Sequence, residues 1–153
     1  GNTDIVKLLL SSNALPNVAG KNGKGAHQTP LHGCCRYGRR ACIKLLLEHK
    51  ADASIGDALG VTPLFLAIES QQIACVEELL KGGVDANSTL AASGDSAMSM
   101  AAFHGLPKAM TLLIKHGANA HAIDECGRNA MFAAAASGKP ECIRLLLVCC
   151  CTH

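Results

Sequence analysis

Apolar residues recur along this chain at helical spacing, in short runs broken by Gly, Asn and Lys-marked turns. From Arg40 to His49, Ile43, Leu46 and Leu47 fall three and four residues apart, which predicts a helix with one apolar face. Upstream, Thr29-Pro30 reads as a helix start. Thr is a good N-cap, and Pro is tolerated at the first helical position because its missing N–H would have no partner there. A short helix through Leu31, Cys34 and Cys35 then ends at Gly38, which can adopt the left-handed conformation. Ala51-Asp52-Ala53 leads out into a turn. Such a hairpin of helices is too small to bury its own apolar face, so it requires neighbours of its own kind.

Those neighbours are in the sequence. Thr29-Pro30-Leu31-His32 recurs as Thr62-Pro63-Leu64-Phe65, Ser96-Ala97-Met98-Ser99 and Asn129-Ala130-Met131-Phe132, in steps of 33, 34 and 33 residues. Leu46, Leu79, Leu113 and Leu146 keep the same step in the second helices, and Leu9 marks a fragmentary first copy. The period and the Thr-Pro-Leu-His opening resemble the ankyrin repeat over nearly the whole chain, from about Asp4 to Leu147. The resemblance implies an all-α ankyrin-repeat solenoid of stacked helix-turn-helix units joined by β-hairpin-like loops. Expected boundaries are a partial repeat over 1–18, repeats over 19–56, 57–90 and 91–123, and a repeat with an incomplete end over 124–153. Thr29, Thr62, Ser96 and Asn129 all fall at N-cap positions and are all capping residue types, with Pro30 and Pro63 behind two of them.

Departures from the pattern carry their own expectations. Asp4–Ser12 is the second helix of a repeat whose partner helix is missing, with Ile5, Val6, Leu9 and Leu10 expected inward. Asn13 stands where a left-handed helix end is needed. Lys50 replaces the Gly found at Gly83 and Gly117, and Gln71 replaces the Gly found at Gly38, Gly105 and Gly138. Leu9 to Leu46 exceeds the period by about four residues, so the first connection is a longer loop. The ending LLLVCCCTH is apolar and uncapped, which leads us to expect a further repeat or domain beyond His153; it is too short for a membrane span.

Composition narrows the core. Aromatic residues make up 3% and Trp is absent, so packing must come from Ala, Leu, Ile, Val and Cys. The alignment absorbs several of the nine cysteines: Cys42, Cys75 and Cys142 share one column, filled by Ile5 and Ala109 elsewhere, and Cys34 shares a column with Ala67, Ala101 and Ala134. These read as small buried hydrophobes, and reduced thiols in such number point to an intracellular protein. A net charge of +2 with 17% charged residues is too balanced to argue for nucleic acid.

Little of the sequence suggests chemistry. Gly20 and Gly25 have the spacing of a phosphate-binding loop, but Ala26 and His27 follow where Lys and Ser or Thr are required, so a flexible tip is the better reading. Cys149, Cys150, Cys151 and His153 point in different directions from one helix end and lack a second Cys-x-x-Cys pair, which disfavours a metal site. No histidine lies in a nucleophile motif. His32 takes, by the resemblance, a structural role, hydrogen bonding within and between repeats near the capping Thr.

Basic residues gather over 21–50 and acids over 51–100. This is either a polarised surface that steers a partner or a set of solvated helix faces. The resemblance implies that partners lie along a concave side made of hairpin tips and first-helix faces. Carried over, the positions are Arg36 and Tyr37, Glu69 and Ser70, Phe103 and His104, together with Gln28, Leu59, Val61, Asp95, Glu125 and Arg128 at the tips. Arg36, Tyr37 and Phe103 are the strongest candidates, because Arg and aromatics dominate interface energetics. For Phe103 the alternative is a core contact. The family's known modification by an asparaginyl hydroxylase, which favours Asn eight residues after a Leu, makes Asn17 and Asn87 candidates, against an ordinary turn role.

The reading that follows is a monomeric, intracellular scaffold that binds a protein partner, with no catalysis, cofactor or metal of its own, no nucleic-acid binding and no membrane insertion. Two others stay open: the recruiting repeats of a larger enzyme such as a ubiquitin-ligase adaptor or kinase, or the cytosolic repeats of a membrane protein.

Overall fold

The structure, a computed structural model, describes residues 3–21 and 27–150. Nine helices occur among them: α1 Thr3–Ser11, α2 Pro30–Arg36, α3 Arg40–Glu48, α4 Pro63–Glu69, α5 Ile73–Lys81, α6 Ala97–Phe103, α7 Pro107–Lys115, α8 Ala130–Ala136 and α9 Pro140–Cys150. The chain is all-α, built of repeated helix pairs, and it divides into two compact units, residues 1–84 and 85–153. In the first, α2 packs on α4, α3 on α5 and α1 on α3; in the second, α6 packs on α8 and α7 on α9.

Each pair is closed by the same backbone device. The first helices end with Arg39, Gln72, Leu106 and Lys139 donating to the carbonyls of Cys34, Ala67, Ala101 and Ala134. The second helices end with Ala14, Ala51, Val84 and Ala118 donating to Leu9, Leu46, Leu79 and Leu113. Both closures need a left-handed residue inside the turn. Gly38, Gly105 and Gly138 supply it after the first helices and Gly83 and Gly117 after the second; Asn13, Lys50 and Gln71 adopt it as well, with φ of 61°, 62° and 57°.

The core follows the repeat columns. Leu31, Leu64 and Met98 are buried, as are Leu46, Leu79, Leu113 and Leu146. Each is worth roughly 1.5–3 kcal/mol against exposure. Cys35, Cys42, Cys75 and Cys142 are buried among them as free thiols.

Two expectations need correction. In α1 only Leu10 is buried; Ile5 and Leu9 are 54% and 53% exposed, although Leu9 holds the same hydrogen-bonding place as Leu46. Leu46 has a first helix against it within its own repeat, and no described helix takes that place beside α1. Cys34 is only half-buried, whereas Ala67, Ala101 and Ala134 in its column are fully enclosed. The expected hairpin-like loops are present: among the described residues one forms paired strands, Gly20–Lys21 (β1) antiparallel to His27–Gln28 (β2). Two further loops close by single bridges, Thr89 with Ser96 and Ile123 with Asn129, and the loop before α4 closes with the Asp57 N–H donating to the Val61 carbonyl.

Candidate functional site

The second unit contains a cleft of about 370 Å³ between its two first helices. Phe103, in the last turn of α6, and Phe132, in the first turn of α8, form its walls and are 53% and 54% exposed. Ser99, Met100, Ala133 and Ala136 line it between them. Asp95, Asp124, Arg128 and Asn129 stand at the loop end. Both helices start from side-chain caps that fix these walls. Ser96 Oγ accepts from the Ser99 N–H at 3.1 Å, and Asn129 Oδ1 accepts from the Phe132 N–H at 3.0 Å.

Asp124 organises the loop. Its Oδ1 accepts from the N–H groups of Cys126 and Arg128, each at 2.8 Å, and its Oδ2 accepts from Arg128 Nε at 2.7 Å. The Arg128 N–H, its guanidinium and the Cys126 N–H hold the carboxyl below the usual carboxylate range, outweighing burial, which pushes it up. Arg128 in turn extends over the Phe132 ring, 6.0 Å from its centroid. Asp95 takes a 2.6 Å hydrogen bond from the Ser93 hydroxyl. Phe103 also meets His104 edge-on, at 5.5 Å between ring centroids.

In the first unit the corresponding positions are less concentrated. Arg36, Tyr37 and Glu69 are exposed and Ser70 half-exposed. Leu59, at a loop tip, is 75% exposed. Asp57 repeats the work of Asp124: Oδ1 accepts from the N–H groups of Leu59 and Val61, at 2.9 and 3.1 Å. Gln28 and Val61, expected at the partner surface, are half-buried and turned to internal use. Gln28 Nε2 donates to Asp57 Oδ2 at 3.4 Å, and the Val61 carbonyl faces the His32 ring.

His32 is fully buried. Its Nδ1 accepts from the Thr29 N–H at 3.2 Å and lies 2.8 Å from Thr29 Oγ1. Thr62 occupies the same N-cap place without a side-chain hydrogen bond to its helix, and Pro30 and Pro63 follow the two threonines at the helix start. Phe65 occupies the column of His32 and is buried; Phe132 occupies it too but opens to the cleft.

The two asparagine candidates sit in exposed turns with their amides engaged. Asn17 Oδ1 accepts from the Asp52 N–H at 2.8 Å. Asn87 Oδ1 accepts from the Asn119 N–H at 2.8 Å, while its Nδ2 donates to the Gly117 carbonyl at 3.0 Å.

Charge in the first unit is less polarised than its sequence suggests. Arg40 reaches from α3 to Glu78 and Glu77 on α5, at 2.8 and 3.9 Å, and Lys81 pairs with Glu77 at 2.6 Å. These exposed pairs add little stability.

No group of three or more His, Cys, Asp or Glu among the described residues is arranged to hold a metal ion. Ala26, Cys151 and His153 lie outside the described residues. No described helix is long and apolar enough to cross a membrane. The sequence reading missed Met100, Ala133 and the outward turn of Phe132. Arg128 precedes the N-cap Asn129 and lies outside the helix, so no helical spacing in the sequence signalled its reach over Phe132.

The family described as ankyrin repeats (3 copies) matches residues 1–89 and 75–152. Similar proteins include the E3 ubiquitin-protein ligase KEG of Arabidopsis thaliana, 32% identical over 78% of this chain and 8% of its own length. The B-cell lymphoma 3 protein homolog of Mus musculus is 28% identical over 94% of the chain and 32% of its own length. The palmitoyltransferase AKR1 of Lachancea kluyveri is 30% identical over 94% of the chain and 19% of its own length. The chain thus spans about a third or less of each relative. With its recurring caps, closures and core columns, and a family match over nearly its whole length, the chain belongs to the ankyrin repeat family.

Proposed function

We propose that this chain is a protein-binding module that holds its partner on the face made by the first helices and loop tips. The observation that carries the reading is the cleft between α6 and α8. Two exposed phenylalanines flank an apolar floor, and hydrogen-bonded carboxylates and an arginine rim it. Exposed aromatics beside an arginine are the composition of interface anchors, and a monomeric surface seldom presents them together without use. Arg36, Tyr37, Leu59 and Glu69 offer a second, more dispersed surface on the first unit, with Ser70 on that same unit, while His104 and Glu125 belong to the second unit. We assign the chain itself no catalysis and no cofactor, and place it inside the cell as a monomer; the buried free thiols support a reducing compartment. We also propose Asn17 and Asn87 as hydroxylation sites, supported by their exposed turns and the Leu eight residues before each.

A second reading places these repeats in a larger enzyme, with the chemistry elsewhere. It is supported by two relatives whose names are those of enzymes and whose length the chain covers only in small part. Affinity capture with quantitative mass spectrometry tests the primary reading by comparing wild type with Phe103→Ala/Phe132→Ala and with Arg36→Ala/Tyr37→Ala. A defined set of proteins is expected to be lost with one variant pair. Equal recovery by all three would remove the assignment of this face.

A further inference from the structure

The charges around the cleft select what enters it. The loops at its end carry Asp95, Asp124 and Glu125 against one cation, Arg128. Glu125 belongs to the same rim, since a Cβ placed on Gly94, next to Asp95, would lie 3.1 Å from its Cγ. Arg128 is already committed: Nε donates to Asp124, and the guanidinium lies over Phe132. Asp95 and Glu125 make no ion pair among the described residues, and Arg128 offsets the Asp95 charge only from a distance. The hydrogen bond on Asp95 comes from a neutral hydroxyl, Ser93.

Below this acidic rim the lining is neutral and largely apolar, and the ring of Phe103 is half open to solvent. An aromatic face attracts a cation, and a nearby carboxylate adds to the attraction. An acidic side chain entering the same space would meet two carboxylates whose charge Arg128, already paired with Asp124, offsets only in part. A purely apolar one would leave those carboxylates unpaired under the ligand, which costs desolvation without return. Lysine and arginine satisfy both halves of the site, because their methylenes lie on apolar surface while the charged end stays at a polar rim.

We propose, resting on the reading of this face as a protein-binding surface, that the cleft seats a lysine or arginine side chain of an extended partner segment. The aliphatic stem runs along Phe103 and Met100, and the charge meets Asp95 and Glu125.

The test selects phage-displayed random peptides against the full chain, then measures binding of the enriched peptides to wild type, Phe103→Ala, Phe132→Ala, Arg128→Ala, Arg36→Ala/Tyr37→Ala, Glu125→Gln and Asp95→Asn/Glu125→Gln. Circular dichroism checks that each variant keeps its helices, and Glu125→Gln alone serves as the conservative variant because Glu125 is exposed and lies outside the helices. The expected result is a shared basic residue whose replacement by Ala weakens binding about tenfold or more. The same loss is expected on wild type with Ala as on the double carboxylate variant with the basic peptide, and it should shrink as salt is raised. Peptides that need Phe103 but show no basic preference, or acidic peptides that need Arg128, would overturn the inference and leave the protein-binding reading standing. If no enriched peptide depends on Phe103, Phe132, Arg36 or Tyr37, both fall.

Discussion

His32 Nε2 sits 2.8 Å from the carbonyl oxygen of Val61, 29 residues further along the chain. The other ring nitrogen faces the Thr29 N–H, which can only donate. Nδ1 is therefore the acceptor and the proton rests on Nε2, which donates to Val61. One buried neutral ring thus ties a helix start to the loop of the next repeat. His32→Ala should cost roughly 2–4 kcal/mol, from lost packing and unpaired polar groups. His32→Phe, the residue type found at Phe65, should cost less because only the hydrogen bonds go. Urea denaturation compares the two, and equal losses would show that the lost packing adds nothing beyond the lost hydrogen bonds.

Asn87 forms a comparable link through a turn. Its amide accepts from Asn119 and donates to Gly117, so Asn87→Ala should lose about 1 kcal/mol. Asn87→Asp keeps the acceptor and loses the donor, and should fall between. Thermal unfolding of the three proteins checks the order.

Thiol reactivity should not follow exposure alone. Cys126 is exposed, and Cys34 half-exposed, but burial together with neighbouring Cys42 and Cys75 pushes the Cys34 thiol up to about 12. Cys35 and Cys75 are also raised, mainly by burial. Because the thiolate is the reactive form, alkylation near neutral pH should label Cys126 well before Cys34, Cys35 or Cys75. Peptide mapping after timed exposure to iodoacetamide reads the order; Cys34 reacting as fast as Cys126 would contradict it.

Acid should weaken the fold through its two loop carboxylates. Burial pushes Asp57 up, but the N–H groups of Leu59 and Val61, with Gln28, outweigh it and leave the folded value below the ordinary one. Asp124 is lowered chiefly by the Arg128 N–H. A depressed folded value means that the unfolded chain takes up protons first as pH falls. The stabilisation is complete above the ordinary value of 3.8 and is lost as pH drops through the folded value. Denaturation midpoints measured from pH 6 to pH 3 should fall more steeply for wild type than for Asp57→Asn, with the final loss below about pH 4.

The repeat columns made the fold legible because each column answers one physical demand: a cap, a left-handed turn or a small buried side chain. The positions of Thr29, Ser96 and Asn129, and of Asn13, Lys50 and Gln71, follow from those demands alone. Burial at Ile5, Leu9 and Cys34 did not, because it depends on what stands beyond a helix rather than on the helix. Asp57 and Asp124 were visible only as loop residues; their hydrogen bonds depend on the fold of the loop around each carboxylate. Phe132 was hidden for a related reason. Its column holds buried residues at His32 and Phe65, and only the three-dimensional placement of Arg128 and α6 shows it opening to a cleft.

Lys50 and Gln71 are both exposed, so each looks free to change. Their backbones say otherwise, since at φ of 62° and 57° a branched Cβ collides with its own peptide. Valine, isoleucine and threonine are barred from these two surface sites by handedness alone. Mutational tolerance at such places is therefore set by chirality, and a map of accessible surface would not reveal it.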